Sequence, residues 1–226
     1  MGWAMSTVIW FLTGNKGKLA EAASHLLPLG FEVRQLTLPK GTIVEPQLDS
    51  LEDVAIAKLE QAKQYLPEGE THVMVEDAGL FVEPLDGFPG IYSSYVFKTI
   101  GNQGILRLLN HLQSEDPVQA ASLRSASFQA VAALWDGEKV ILGTGSCPGA
   151  ISTAPSGEEG FGFDPVFIPL DLDDLGQPLP AGTYGVTSTH GATFGTVSLE
   201  IKQKFSHRRR ALDRLLVELS GDGQEL

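Results

Sequence analysis

The first residues that could do chemistry form a turn with two glycines and two lysines, which reads Thr-Gly-Asn-Lys-Gly-Lys at positions 13–18. The preceding segment, Val8–Leu12, is apolar and predicts a buried strand, and the apolar spacing of Leu19–Leu27 predicts a helix. Such a strand–turn–helix presents backbone N–H groups and the positive end of the helix dipole, and the lysines add charge. The turn therefore suits a phosphate group. Because the P-loop pattern is absent, a solvated connection is the alternative interpretation.

Two adjacent carboxylates, Glu76 and Asp77, follow the short apolar segment His72–Val75. The pattern predicts a buried strand that ends at these acids, where ligands of α/β sheets commonly bind. A carboxylate there can bind Mg²⁺ or accept a proton from water, but neighbouring strand residues point to opposite faces, so only one can serve a given site. Solvated acids are the alternative. Glu45 is of interest only as a second ligand of a metal bound by Asp77, and Lys58 is expected to be solvated.

A glycine-rich segment at residues 157–165 carries two phenylalanines and a following aspartate. An exposed ring of Phe161 or Phe163 could stack on a nucleobase, and Asp164 could accept a hydrogen bond from a base or a ribose. A turn whose rings pack in the core is the alternative, and at least one of the two rings is expected there.

Basic residues gather near the end of the sequence, where Ser206 is a natural N-cap of a predicted helix and His207 and Arg208 fall in its first turn. Positive side chains at a helix N-terminus oppose the helix dipole, which is a modest argument that they bind an anion or a carbonyl oxygen. A solvated basic patch is the alternative.

Composition excludes several classes of protein. The 226-residue sequence has a formal net charge of −12, which argues against general binding to a nucleic-acid backbone. Local basic clusters in an acidic chain suit a phosphate site that also holds a divalent cation. The single cysteine excludes an intramolecular disulfide framework and a zinc site built on cysteines. No apolar run is long enough to cross a bilayer and the first residues do not resemble a signal peptide, so a cytoplasmic location is expected.

Strand and helix patterns alternate through the first half of the chain, and a hairpin follows. The predicted elements after the first unit are a strand at 31–36, a helix at 51–62 capped by Ser50, a helix at 104–112, strands at 125–134 and 139–147 with an Asp-Gly turn, an irregular insertion at 170–192 and a helix at 206–219. This order predicts the α/β class with a mixed sheet. We expect residues 1–6 to be a disordered extension, 7–219 a single two-lobed domain and 220–226 a tail.

Five segments in this order resemble the inosine triphosphate pyrophosphatase family, which acts on non-canonical purine nucleotides. They are residues 13–18, 76–80, 87–94, 160–167 and 206–208. The resemblance implies an elongated mixed β-sheet flanked by helices, with two lobes around a central nucleotide cleft, and usually a homodimer. It also implies Mg²⁺-dependent hydrolysis of ITP, dITP and XTP to the monophosphate and pyrophosphate, with no nucleic-acid polymer or membrane as partner.

The resemblance also assigns roles to residues. It places the triphosphate on Thr13, Gly14, Asn15, Lys16, Gly17 and Lys18. It makes Glu45 and Asp77 metal ligands, and Asp77 also the proton acceptor. The base falls to Phe161, Gly162, Phe163 and Asp164, while Lys202, His207 and Arg208 close over the nucleotide and Arg208 donates to the 6-oxo group.

Four departures from the family pattern bear on rate and base preference. Ala78 stands where Ser or Thr is usual, so only its backbone N–H could contact substrate, and Val54 replaces a usual Asn. Phe163 replaces Tyr or Trp, and the 170–192 insertion is longer than usual. Two other functions stay open: a related pyrophosphatase for other modified nucleotides, and a catalytically inactive nucleotide-binding module, which Ala78 would favour.

Overall fold

The computed structural model describes residues 7–220, in which helices flank a mixed sheet of seven strands. The predicted extension at 1–6 and residues 221–226 of the predicted tail lie outside the described residues. The strands are β1 (Thr7–Leu12), β2 (Phe31–Leu36), β3 (Val73–Val82), β4 (Pro89–Gly90), β5 (Ser125–Trp135), β6 (Val140–Ile151) and β7 (Phe167–Pro169). The helices are α1 (Lys16–Leu26), α2 (Leu51–Ala62), α3 (Ser93–Thr99), α4 (Gly101–Leu108), α5 (Pro117–Leu123), α6 (Leu199–Phe205) and α7 (His207–Ser220).

The sheet has the strand order β2-β1-β3-β5-β6-β7, with β4 paired to β3. Strand β1 runs parallel to both β2 and β3, whereas β4 pairs antiparallel with β3 and β7 antiparallel with β6. The predicted α/β class with a mixed sheet is therefore confirmed. None of the helices between residues 7 and 220 combines the length and the apolar composition that a membrane span requires.

The chain divides into two compact units. The first unit comprises the residues up to Asp77, residues 130–145 and the residues from Arg208 onward; the second comprises Ala78–Gln129 and Ser146–His207. The polypeptide passes from one unit to the other within β3, β5 and β6 and after His207, the first residue of α7.

The first unit is built on the apolar side chains of its parallel strands. Ile9 and Phe11 of β1 and Met74 of β3 are fully buried, and so are Ala22 and Leu26 of α1. Helix α2 begins at Ser50, whose hydroxyl accepts the Asp53 N–H at 3.0 Å, so the predicted N-cap is confirmed.

The core of the second unit is aromatic. The rings of Phe128 and Phe167 lie 4.5 Å apart, and the ring of Phe194 lies 5.4 Å from that of Phe167. Buried Arg124 donates its guanidinium hydrogens to the carbonyls of Leu109, Ile151 and Ser152, at 2.7, 2.8 and 2.7 Å. These contacts fasten the end of α4 to the end of β6.

Several predicted boundaries are wrong. Strand β3 does not end at Glu76 and Asp77 but continues to Val82, because Gly79 lets the Gly90 carbonyl of β4 approach more closely than a Cβ would allow. The helix predicted at 104–112 is α4 at 101–108, and α3, α5 and α6 were not predicted. The hairpin is confirmed: Gly137 has φ +105° and the Asp136 carboxylate accepts the N–H groups of the turn.

The insertion at residues 170–192 is irregular, as predicted. Within it the structure shows turns and two isolated bridges, in which Leu172 pairs with Pro178 and with Thr187.

Helix α7 packs directly on the backbone of β6, and this contact yields a stability prediction. A Cβ at Gly143 would collide with the Ala211 carbonyl and lie 2.6 Å from the Leu215 amide, both on α7. We expect Gly143→Ala to lower the free energy of unfolding by about 1–3 kcal/mol, measured by urea denaturation. Thr144→Ser, at the exposed next position, is the matched control and should change little. A Gly143→Ala protein as stable as the wild type would contradict this packing.

Candidate functional site

The parallel pairing of β1 with β3 brings the lysine-bearing turn, which follows the end of β1, beside the two acids in the middle of β3. Phe11 of β1 is the partner of Met74 of β3. Two residues further on, the strands reach Thr13 and Glu76 respectively. Residues predicted to bind phosphate and metal therefore belong together in the first unit, for a reason that lies in the register of the sheet.

The turn at 13–18 is in large part the first turn of a helix. Helix α1 begins at Lys16, three residues earlier than the apolar spacing predicted, because Asn15 is its N-cap. The Asn15 carbonyl oxygen Oδ1 accepts the N–H groups of Gly17 at 2.8 Å and Lys18 at 3.2 Å. Among the described residues the structure shows no acceptor for the N–H groups of Gly14 and Lys16, which stay available to an anion.

A buried carboxylate holds two cations at this place. Glu76 is 5% exposed, and its Oε2 lies 3.4 Å from Nζ of Lys18 and 2.8 Å from Nε of Arg208. Lys18 Nζ also donates to the Glu76 carbonyl at 3.2 Å. The Arg208 guanidinium contacts Glu21 of α1 as well. We call Lys18, Glu21, Glu76 and Arg208 the buried charge network.

The pKa values of the two cations in the buried charge network shift in opposite directions. Burial lowers the pKa of Lys18, and the attraction of Glu76 offsets only part of this effect. Burial would also lower the pKa of Arg208, but Glu76 and Glu21 together raise it well above its usual range. Arg208 is therefore a fixed charge, whereas Lys18 is held with less compensation and would gain from a second anion such as a phosphate.

A second charged group surrounds Lys58 of α2. Its Nζ lies 2.8 Å from Oε1 of Glu45 and 3.7 Å from Oδ1 of Asp77, and its side chain is only 13% exposed. The loop that carries Glu45 is tied to α2 because the Gln61 side chain hydrogen-bonds both the N–H and the carbonyl of Val44, at 2.8 and 2.9 Å. The expectation that Lys58 is solvated was wrong.

Asp77 is a partly buried carboxylate whose pKa is shifted. Burial raises its pKa above the usual range, while Lys58 and Lys18 pull the pKa back only in part. Glu45 and Asp77 both direct an oxygen at one ammonium, so two carboxylates already converge on a cation. Mg²⁺ typically takes one or two protein carboxylates and completes its shell with substrate phosphates and water. The described residues contain no cluster of three or more His, Cys, Asp or Glu that could hold a metal.

The second unit contains the glycine-rich aromatic segment. Asp164 is 3% exposed, and its Oδ2 accepts the Phe161 N–H at 2.7 Å and the Lys202 ammonium at 2.8 Å. The same ammonium lies 4.6 Å from the centre of the Phe161 ring. Lys202 comes from α6, so the helix that the sequence did not predict supplies one of the predicted site residues.

Gly162 and Phe163 form the middle of this segment, and we call residues 161–164 the aromatic segment. Gly162 has φ +64°, and Phe163 has φ −87° and ψ 6°. Successive residues of opposite handedness make backbone N–H groups converge on one point. Among residues 7–220 the structure shows no acceptor for the N–H groups of Gly162 and Phe163. The Phe163 ring is 4% exposed and packs in the core, as expected for one of the two rings.

Two further predicted site residues lie in the second unit. His207 is the first residue of α7, is 5% exposed and stacks on the Phe128 ring with centroids 5.0 Å apart. Ala78 is a partly exposed residue of β3. The roles predicted for these and the other site residues stay predictions.

Glu21 was not among the predicted site residues, Glu76 was considered only as the neighbour of Asp77, and Lys58 was expected to be solvated. The spacing of Glu21 with Ala22 and Leu26 puts it beside the apolar face of α1, which is a signal for a buried, paired carboxylate. No such signal exists for Lys58, whose burial depends on the loop that carries Glu45.

The buried charge network predicts a large effect of a small substitution. Glu76→Gln keeps the shape of the side chain but removes the charge that compensates Lys18 and Arg208, so we expect a loss of about 3 kcal/mol in unfolding free energy by urea denaturation. Glu32→Gln is the matched control, because Glu32 pairs with Arg34 at the surface and little change is expected. An unaltered unfolding midpoint for Glu76→Gln would show that the network does not stabilise the fold.

Comparisons with known proteins identify a family and similar relatives. The model of the Ham1 family matches residues 9–218 of this chain. A dITP/XTP pyrophosphatase of Thermococcus kodakarensis is 43% identical over 203 residues, which is 89% of this chain and 91% of the relative. One of Ignicoccus hospitalis is 35% identical over 219 residues, which is 96% of this chain and 100% of the relative.

Solved structures agree with this assignment. The Ham1 protein of Staphylococcus aureus superposes with a TM-score of 0.68 at 27% identity, over 96% of this chain and 100% of that chain. A nucleoside-triphosphatase, or dITP/XTP pyrophosphatase, of Mycobacterium abscessus gives 0.62 at 28% identity, over 93% and 99%. The resemblance found in the five sequence segments is confirmed, and the chain belongs to the Ham1 family.

Proposed function

We propose that this protein hydrolyses the α–β phosphoanhydride bond of dITP, ITP and XTP, releasing the monophosphate and pyrophosphate. The observation that carries the proposal is a pair of charged groups in the first unit: Lys58 lies beside Glu45 and Asp77, and Lys18 lies beside Glu76, the residue before Asp77. Together they supply cations for phosphate and carboxylates for a metal. The names of the relatives in Thermococcus and Ignicoccus support the substrate class.

The first unit would bind the triphosphate. The open N–H groups of Gly14 and Lys16, with the positive end of the α1 dipole, favour phosphate oxygens. The ammonium groups of Lys18 and Lys58 would stabilise the negative charge that builds on the departing pyrophosphate. Residues 13–18 would thus act as a group through backbone and side chain together.

Glu45 and Asp77 would hold Mg²⁺, and a bound Mg²⁺ neutralises phosphate charge that would otherwise repel a nucleophile. Asp77 would orient a water molecule and accept its proton as the water oxygen attacks the α-phosphorus and the bond to the bridging oxygen breaks. A carboxylate whose pKa is raised accepts a proton more readily than an ordinary aspartate, which suits Asp77 to this task. In that role the Glu45 carboxylate would exchange its contact with Lys58 for the metal.

The aromatic segment would select the base. Its two converging N–H groups, from Gly162 and Phe163, suit a carbonyl acceptor such as the 6-oxo group of hypoxanthine or xanthine. Adenine carries an amino donor at that position, which would leave both N–H groups unpaired at a cost of about 1–3 kcal/mol. The predicted donation by Arg208 is less well supported, because Nε and Nη1 of its guanidinium already contact Glu76 and Glu21.

Two further expectations complete the proposal. A homodimer and a cytoplasmic location both stay predictions, and size-exclusion chromatography with light scattering tests the first.

Three further residues have proposed contacts with the substrate. Ala78 would contact substrate through its backbone N–H, and Lys202 and His207 would lie beside the base through their contacts with Phe161 and Phe128.

The substrate prediction is tested with a panel of nucleotides. With Mg²⁺ present, we expect kcat/KM for pyrophosphate release from ITP, dITP and XTP to exceed that for ATP by about 10-fold or more, and EDTA to abolish release. GTP and UTP complete the panel, because GTP shares the 6-oxo group and UTP tests the pyrimidine alternative. Nucleotide binding without release of pyrophosphate would favour the inactive module instead.

The role of Asp77 is tested by Asp77→Asn. We expect kcat for ITP to fall by about 10²–10⁴-fold, because the amide cannot accept the proton from water. The raised pKa means that folding disfavours the charged form of Asp77, and this cost is present above the folded pKa. At pH 7 the metal-free variant should therefore unfold at the same or a higher temperature than the wild type.

Glu68→Gln, at an exposed position, is the matched control for the loss of one charge. Near-native turnover of ITP by folded Asp77→Asn would remove Asp77 from the chemistry.

A further inference from the structure

Asn102 of α4 makes a hydrogen bond to the backbone of the aromatic segment. Its Nδ2 donates to the carbonyl of Gly162 at 3.3 Å, across 60 positions of the chain. Its Oδ1 is a buried atom without a hydrogen-bond partner among the described residues. The orientation of the amide is fixed by this contact, since turning it over would set Oδ1 against the Gly162 carbonyl.

The middle of the aromatic segment is held by the hydrogen bond that the Gly162 carbonyl accepts from Asn102. The Asp164 carboxylate fastens one end by accepting the Phe161 N–H at 2.7 Å. A glycine has no side chain to restrict its backbone. Gly162 has φ +64°, and no atom lies within 4 Å of the position that a Cβ would take, so packing does not fix its conformation. The Gly162 carbonyl shares one planar peptide with the N–H of Phe163, so the direction of the Phe163 N–H depends on what binds this carbonyl.

Helix α3 supports the neighbouring residue. The Phe97 ring meets the Phe163 ring edge to face, with centroids 5.4 Å apart and planes at 81°. Phe163 is thus fixed by packing and Gly162 by a hydrogen bond, both from the α3–α4 pair. The unpaired Oδ1 of Asn102 is a cost of this arrangement, because buried polar atoms in folded proteins nearly always have partners.

We infer that Asn102 is a positioning residue for base selection, which holds the Gly162–Phe163 peptide so that the N–H group of Phe163 faces the 6-oxo group beside the N–H group of Gly162. The inference rests on the proposed function, and it deepens that function by assigning purine discrimination to a residue outside the aromatic segment. Asn102 touches neither the triphosphate turn nor the carboxylates of the first unit among its described contacts.

The test compares Asn102→Ala and Asn102→Asp with the wild type. Asp has the size of Asn but, when ionised, cannot donate to the Gly162 carbonyl. For both variants we expect the preference for IMP over AMP, measured as the ratio of Kd values by calorimetry, to fall at least 5-fold. KM for ITP should rise by a similar factor, while kcat for ITP and inhibition by tripolyphosphate stay within 2-fold. Gln103→Ala, at the exposed next position, is the matched control and should keep the wild-type ratio.

A purely structural role gives a different result. It would lower the melting temperature and the active fraction, and so reduce kcat for ITP and ATP alike with an unchanged ratio of Kd values; that outcome overturns the inference. A wild type that releases no pyrophosphate but prefers IMP over AMP would overturn the proposed hydrolysis, and the variants would still decide the role of Asn102. A wild type without preference for IMP overturns the inference outright.

Discussion

The contact of Glu76 with Lys18 and Arg208 is the constraint on which the first unit depends. One carboxylate that is 5% exposed meets cations from α1 and α7, and Glu21 adds a second negative charge beside Arg208. Charges removed from water are costly unless they are paired, so the three elements have one favourable arrangement. The network therefore fixes where the N-terminus of α1 points, and with it the open N–H groups of Gly14 and Lys16.

Next to this network lies Asp77, a carboxylate whose charged form is disfavoured by burial. Asp77 follows Glu76 on β3, yet its partner is Lys58 at 3.7 Å rather than a cation in close contact. Burial outweighs that attraction and raises the pKa of Asp77. Adjacent residues of one strand thus differ in their electrostatics, because alternation along the strand gives them different neighbours. Stability from the network allows Asp77 to be held in an unfavourable setting.

The sequence predicted the class of fold and the segments of the site, but not how the segments are held. Alternating patterns revealed the parallel strands and the Asp136-Gly137 hairpin, since local chemistry decides both. The start of α1 and the extent of β3 were wrong because an Asn cap and a close backbone approach override apolar spacing. The burial of Lys58 and the contact of Asn102 with Gly162 depend on residues 13 and 60 positions away, which no local pattern encodes.

The most direct measurement is a crystal structure of Asp77→Asn with ITP and Mg²⁺, in which slow hydrolysis should preserve the nucleotide. We expect phosphate oxygens within hydrogen-bond distance of Lys18 Nζ and of the N–H groups of Gly14 and Lys16, and we expect the metal beside Glu45. A triphosphate bound away from Lys18 and Lys58, with the first-unit contacts of both lysines unchanged, would contradict this expectation.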